Sequence, residues 1–149
     1  MIKCETLGMY EVSKNNPVLT SSSAVANYTF ITDNGDLYLI DTVVDGDDYY
    51  KRENTIPAYT PLRGFRVADW AGQNLIVDES HIAYGSGEDY DDITAGTTVF
   101  AVDQNGKLAI AQSTPTSGIY FKAIKKVTLT QKAVVVRVVV VDADTQPSG

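Results

Sequence analysis

Between Lys125 and Val141 the chain reads KKVTLTQKAVVVRVVVV, and no other stretch restricts the fold as much. Valine carries two heavy atoms on Cβ, which stiffens the side chain, disfavours helix and suits the pleated surface of a strand. The run predicts two strands with a break at Gln131-Lys132. Alternation places Val134, Val136, Val138 and Val140 on one face and Val135, Arg137, Val139 and Val141 on the other. Valine dominates both faces, so the expectation is a strand covered on both sides, one cover coming from a partner subunit. On a covered face Arg137 would need a carboxylate or carbonyl partner, because a lone buried charge costs several kcal/mol.

Two further segments carry strand chemistry around turn residues. In YTFITDNGDLYLIDT, Tyr28 to Thr42, aromatic and β-branched residues flank Asn34-Gly35, which supplies the positive φ angles of a tight hairpin turn. Tyr28, Phe30, Leu37 and Leu39 are its expected core positions. TTVFAVDQNGKLAIA, Thr97 to Ala111, repeats the pattern around Asn105-Gly106, with Val99 and Ala101 expected against Leu108 and Ile110. Arg63 to Val67 alternates like a strand, and Asn74 to Asp78 reads as another. Ala68 to Gln73 has room for one helical turn, and no window holds the 3.6-residue period of an amphipathic helix. Pro57 and Pro61 belong at edges or turns, since proline cannot donate to a ladder.

These elements predict a mainly β chain: a small antiparallel β-sandwich or barrel-like domain with hairpins and at most one or two short helices. With 149 residues there is material for one core. The expected organisation is an N-terminal segment 1–27 serving as an extended arm, because Asn15 to Asn27 is polar, small and serine-rich. A β-rich domain over 28–142 and a flexible tail over 143–149 follow. No apolar run near Met1 to Tyr10 resembles a signal peptide, and no stretch reaches about 18 apolar residues, so neither export nor a membrane span is expected.

The charges and reactive side chains narrow the chemistry. A net charge of -7 repels the phosphate backbone, so nucleic acid is not an expected partner. The short cluster Lys122, Lys125 and Lys126 reads as a solvated strand end. Cys4 is the only cysteine, so no disulfide forms within the chain, and a compartment inside a cell or a particle assembled there is expected. His81 is the only histidine. It lies beside Ser80 without a G-x-S-x-G elbow, and with one cysteine it cannot complete a zinc site. Asp41, Asp45, Asp47, Asp48, Glu88, Asp89, Asp91 and Asp92 offer oxygen ligands for calcium, but DTVVDGDD departs from the EF-hand template at its third position. Solvated acidic loops are the plainer reading. Catalytic residues, metal ligands and cofactors are therefore all expected to be none.

Nine tyrosines invite an interface, since tyrosine joins a broad apolar face to a polar tip. The candidate interface residues are Tyr49, Tyr50, Tyr59, Tyr84 and Tyr90 from the loops, with Arg137 and Val138 from the valine strand. Their alternative role is to anchor loops.

IPAYTPLRGF, the stretch from DESHIAY to DYDDITAGTTVFAVDQNGKLAIA, and the closing AVVVRVVVV strand together give the segment from Ile56 to Val141 a familiar layout. It resembles small capsid decoration, or cement, proteins of tailed bacteriophages, over a little over half of the chain. The likeness is one of pattern, so no binding residue is carried over from the family, and Asn15 to Asn54 lies outside it. The resemblance implies a non-enzymatic, disulfide-free homo-oligomer, often a trimer. It would sit on the capsid surface of a virion assembled in the host cytoplasm, with the major capsid protein of the same particle as partner. A carbohydrate- or receptor-binding virion domain using exposed tyrosines is the alternative, and a hydrolase with a carboxylate pair ranks last.

Overall fold

The computed structural model describes residues 2–5, 18–42, 55–128 and 130–141. Tyr49, Tyr50, Asp45, Asp47, Asp48 and the expected tail 143–149 lie outside the described residues. The described strands are β1 (Ile2–Cys4), β2 (Val18–Leu19), β3 (Val25–Ala26), β4 (Phe30–Asp33), β5 (Asp36–Ile40), β6 (Thr55–Ile56), β7 (Leu62–Arg66), β8 (Asn74–Asp78), β9 (Ile82–Ala83), β10 (Val99–Val102), β11 (Leu108–Ile110), β12 (Gly118–Thr128) and β13 (Lys132–Val141). The chain is mainly β, as its valines and turn residues require, and its antiparallel sheets include one curled as a half-barrel. Single 3₁₀ turns at Val67–Trp70, Glu79–His81 and Tyr90–Asp92 are the helical elements among the described residues.

Seven strands form the large sheet in the order β1-β8-β13-β12-β10-β11-β9. β13 lies between β12 and β8, and beyond β8 its ladder continues onto the loop after Trp70: the Val138 amide donates to the Gln73 carbonyl at 3.0 Å, and the Gly72 amide donates to the Val138 carbonyl at 2.9 Å. Val134, Val136 and Val138 are fully buried in the main core. That part of the valine reading holds, except that Val140, expected on the same face, is 42% exposed. On the other face Val135 is buried as expected, but the expectation of full cover is corrected, because Arg137 is exposed and Val139 and Val141 are half-buried. Both faces of this central strand are filled from Ala133 to Val136, and beyond that only the inner face, at Val138.

The sheet with both faces filled is the smaller one, β2-β7-β5-β4. Leu39 and Phe65 point into the main core, where Phe30 meets Phe121 with ring centroids 5.4 Å apart. Their neighbours Ile40 and Leu62 point the other way, onto a second cluster with Val25 and Ile56 of the β3-β6 ribbon. Parts of the N-terminal segment expected to be an arm are therefore paired: β1 lies in the large sheet, β2 on β7 and β3 on β6. Ile2, Cys4 and Val25 are buried, and their apolar surface outweighs the polar composition around them.

The two Asn-Gly hairpins differ. Asn34 and Gly35 both have positive φ, and Asp33 pairs with Asp36 across a two-residue turn. At the second, Gly106 alone has positive φ. Asp103 accepts from the Asn105 and Lys107 amides, which makes a three-residue loop with a glycine bulge. The longer loop shifts the pairing from that expected: Ala101 faces Ala109, Phe100 faces Ile110, and Phe100 rather than Ala101 enters the core. The turn itself sits on β4, where the Phe30 amide donates to the Gly106 carbonyl at 2.9 Å.

A methyl group at Gly106 would meet Thr29 Cγ2 and come within 2.5 Å of the Phe30 carbonyl oxygen, whereas one at Gly35 meets nothing within 4 Å. Gly35→Ala is expected to cost about 1 kcal/mol for its left-handed backbone alone. Gly106→Ala should cost at least about 3 kcal/mol in urea unfolding, since backbone must move as well. Equal losses would show that the turn does not rest on β4. Val138→Asp, which buries a charge, should not fold.

Candidate functional site

Register decides which side chains share the outer face of the large sheet. Lys122 stands directly opposite Arg137, which stands opposite Asn74, and Lys3 stands opposite Ile76, itself opposite Val135. A bulge in β12 between Ala123 and Lys125 places Lys125 opposite Val135. Lys122 and Lys125 are an odd number of residues apart and would otherwise point to opposite faces; the extra residue brings both outward. Lys3, Lys122, Lys125 and Arg137 are all exposed. Tyr120, Val139, Ile76, Ala101 and Ala109 are half-buried around them on the same face.

A polar chain runs across this face. The Arg137 Nε donates to Asn74 Oδ1 at 3.2 Å, and Asn74 Nδ2 donates to Glu5 Oε2 at 3.4 Å. Lys125 Nζ lies 3.5 Å from Glu5 Oε1. Asp78, at the far end of the face, accepts from the Ser80 amide and hydroxyl. Neither Lys122 nor Arg137 forms an ion pair among the described residues.

Of the sequence candidates, Arg137 belongs to this face, while Val138 points into the core and is fully buried. The loop tyrosines separate. Tyr90 is buried: its hydroxyl donates to the Ala133 carbonyl at 2.7 Å, with the Val127 carbonyl at 3.3 Å, and ties β12 to β13 beside the turn that joins them. Lys126 and Lys132 lie 4.7 and 5.2 Å from its ring centroid. Burial, then the nearby Glu79, raises the Tyr90 phenol above its ordinary pKa. Tyr84 is half-buried and donates to Glu79 at 3.2 Å; burial and then that carboxylate raise its phenol too. Tyr59 alone of the three stands out from the surface, 74% exposed, at a turn where its backbone φ is +61°.

The groups with catalytic or ligating chemistry have local structural partners. Asp78 caps the turn that carries His81 and accepts the Ser80 hydroxyl, and His81 packs edge-on against Tyr28 at 5.6 Å. These residues line a cleft of about 330 Å³ with Asn27 and Lys107. Asp41 is buried beside Arg63, whose Nη2 lies 3.6 Å from its carboxylate. Asp89 and Asp92 cap their own turn, and Glu88 accepts from the Gly85 amide at 2.6 Å. Among the described residues no three such side chains group to hold a metal ion. None of the helical turns there is long and apolar enough to cross a membrane. No protein-family model, curated protein or solved structure matches this chain.

Sequence reasoning saw the Lys122, Lys125 and Lys126 cluster but not its division. Lys125 joins Lys122 through the bulge, while Lys126 turns to Tyr90, its Nζ donating to the Tyr90 carbonyl at 3.2 Å. Lys3 gave no signal, because only the pairing of β1 on β8 brings it there.

Tyr90→Phe leaves a buried carbonyl without its donor and should cost about 1–2 kcal/mol. Tyr59→Ala should stay within about 0.5 kcal/mol of the parent, as exposed positions do. Chemical denaturation of both variants separates an anchor from a surface residue.

Cys4 adds a pH dependence. Burial raises its thiol from 9.0 to about 11. The unfolded thiol ionises first, so this contribution is complete below pH 9 and is lost as pH rises from 9 to 11, on the order of 2–3 kcal/mol. Stability measured across that window should fall more steeply for the parent than for Cys4→Ala.

Proposed function

We propose that this chain is a non-enzymatic structural protein of a virus particle that binds and stabilises an assembled bacteriophage capsid as a decoration, or auxiliary, protein. The observation that carries the reading is the outer face of the seven-stranded sheet: Val99 and Val135 are buried there, but around the exposed Lys122 and Arg137 the side chains of Tyr120, Val139 and Ala101 are only half-buried. Folding by itself gains nothing from leaving such a face open, whereas a binding protein gains an area on which water can be displaced. The likeness of the segment from Ile56 to Val141 to decoration proteins supplies the partner, the major capsid protein of the same particle. It also supplies the oligomeric state, a homo-trimer. A protein that binds the assembled lattice and not its free subunits stabilises the lattice by mass action, by about 2.7 kcal/mol per site at a hundredfold excess over Kd.

The second reading, a carbohydrate- or receptor-binding virion domain, draws on Tyr59, whose exposed ring stands on left-handed backbone that L residues rarely adopt.

Sedimentation of the protein alone and with purified heads of the virus that encodes it decides between them. Co-sedimentation in fixed stoichiometry, with heads that resist heat longer, is the expected result. A monomer that ignores heads but binds glycans, and stops doing so in Tyr59→Ala, would replace the first reading by the second.

A further inference from the structure

Resting on the reading of the outer face as a binding surface, the geometry points to the chemistry of its partner: the face recognises carboxylates, and the surface it meets is an acidic stretch of polypeptide. The chain as a whole carries a charge of -7, yet Lys3, Lys122, Lys125 and Arg137 share one side of one sheet. At its centre Lys122 and Arg137 are direct cross-strand neighbours, an arrangement in which like charges repel and which the free chain would be better without. Neither has a carboxylate partner among the described residues, and a carboxylate brought between them would turn the repulsion into two attractions.

Arg137 is prepared for that role. Asn74 Oδ1 takes its Nε, and Asn74 is held in turn by Glu5, which fixes the guanidinium plane across the strands. The terminal nitrogens are left without partners among the described residues, and they present the forked pair of donors that fits a carboxylate. Asn74 is a positioning residue for this contact. Tyr120, Val139 and Ala101 beside the cations suit the aliphatic and peptide surface of a protein better than the continuous charge of a nucleic acid, which the net charge also repels.

Poly-L-glutamate tests the inference, since a protein of this net charge binds it only through a local cationic face. Titration into the ¹⁵N-labelled full chain at about 50 mM salt should move the amides of Tyr120, Lys122, Arg137 and Val139, with affinity falling steeply as salt rises. The double variant Lys122→Gln/Arg137→Gln should bind at least about tenfold more weakly. It should melt no lower than the parent, because a repulsion has been removed. Lys132→Gln, at an exposed lysine that lies over the Tyr90 ring and outside the face, should bind as the parent does.

Absence of binding, equal binding by the double variant, or shifts confined to other residues would overturn the inference. So would tighter binding of duplex DNA or anionic lipid vesicles than of poly-L-glutamate, which would make the face a reader of phosphate. Heads that still bind the double variant as the parent does would move the docking face elsewhere and leave the capsid reading standing. Poly-L-glutamate binding without head binding would leave the acidic specificity and remove the capsid.

Discussion

The fold depends on β13 being held from both sides at once. Its backbone is bonded to β12 along one edge and to β8 and the Gly72–Gln73 loop along the other, so every element of the large sheet is placed relative to it. Val134, Val136 and Val138 then project into the main core with Phe121, Leu75 and Val77. A strand of β-branched residues loses little side-chain freedom in this setting and fills one face of the pleat without gaps. Without that central strand, β1 and β8 would be cut off from the rest of the sheet.

The smaller sheet closes the core against this platform, and its alternation works twice. In β5 and β7 neighbouring residues serve different clusters: Leu39 and Phe65 face the large sheet, Ile40 and Leu62 the β3-β6 ribbon. The second hairpin turn locks the arrangement, because the carbonyl of Gly106 meets the amide of Phe30 where a side chain would not fit. Arg66 reaches Asp36 at 3.3 Å and Asp69 at 3.2 Å and ties β7 to its neighbours, in a partly exposed setting worth little in energy but fixed in geometry.

The outer face of the large sheet obeys a different logic from the inner one. Inner positions of β13 from Val134 to Val138 are apolar and closed. Outer positions set exposed cations over half-buried apolar side chains and place Lys122 against Arg137, where the free chain gains nothing. Proteins keep such local disadvantages where another interaction offsets them. The tyrosines show the converse, since Tyr90, which looks like an interface residue in the sequence, spends its hydroxyl and its ring on holding β12 to β13.

Valine runs and Asn-Gly turns leave few alternatives to hairpins, so the class of fold was legible before any tertiary contact, and the strands at Asn74 to Asp78 and around Phe65 were legible from alternation alone. Leu39, Phe30 and Tyr28 were legible as core for the same reason. Tertiary structure decided what period and composition cannot express. The start of β12 at Gly118 and the pairing of β1, β2 and β3 depend on partners distant in the chain. The exposure of Arg137 depends on which face of β13 the rest of the molecule covers. The site was the least legible part, because it joins residue 3 to residues 122, 125 and 137, and only strand order and a one-residue bulge turn those four cations to the same side.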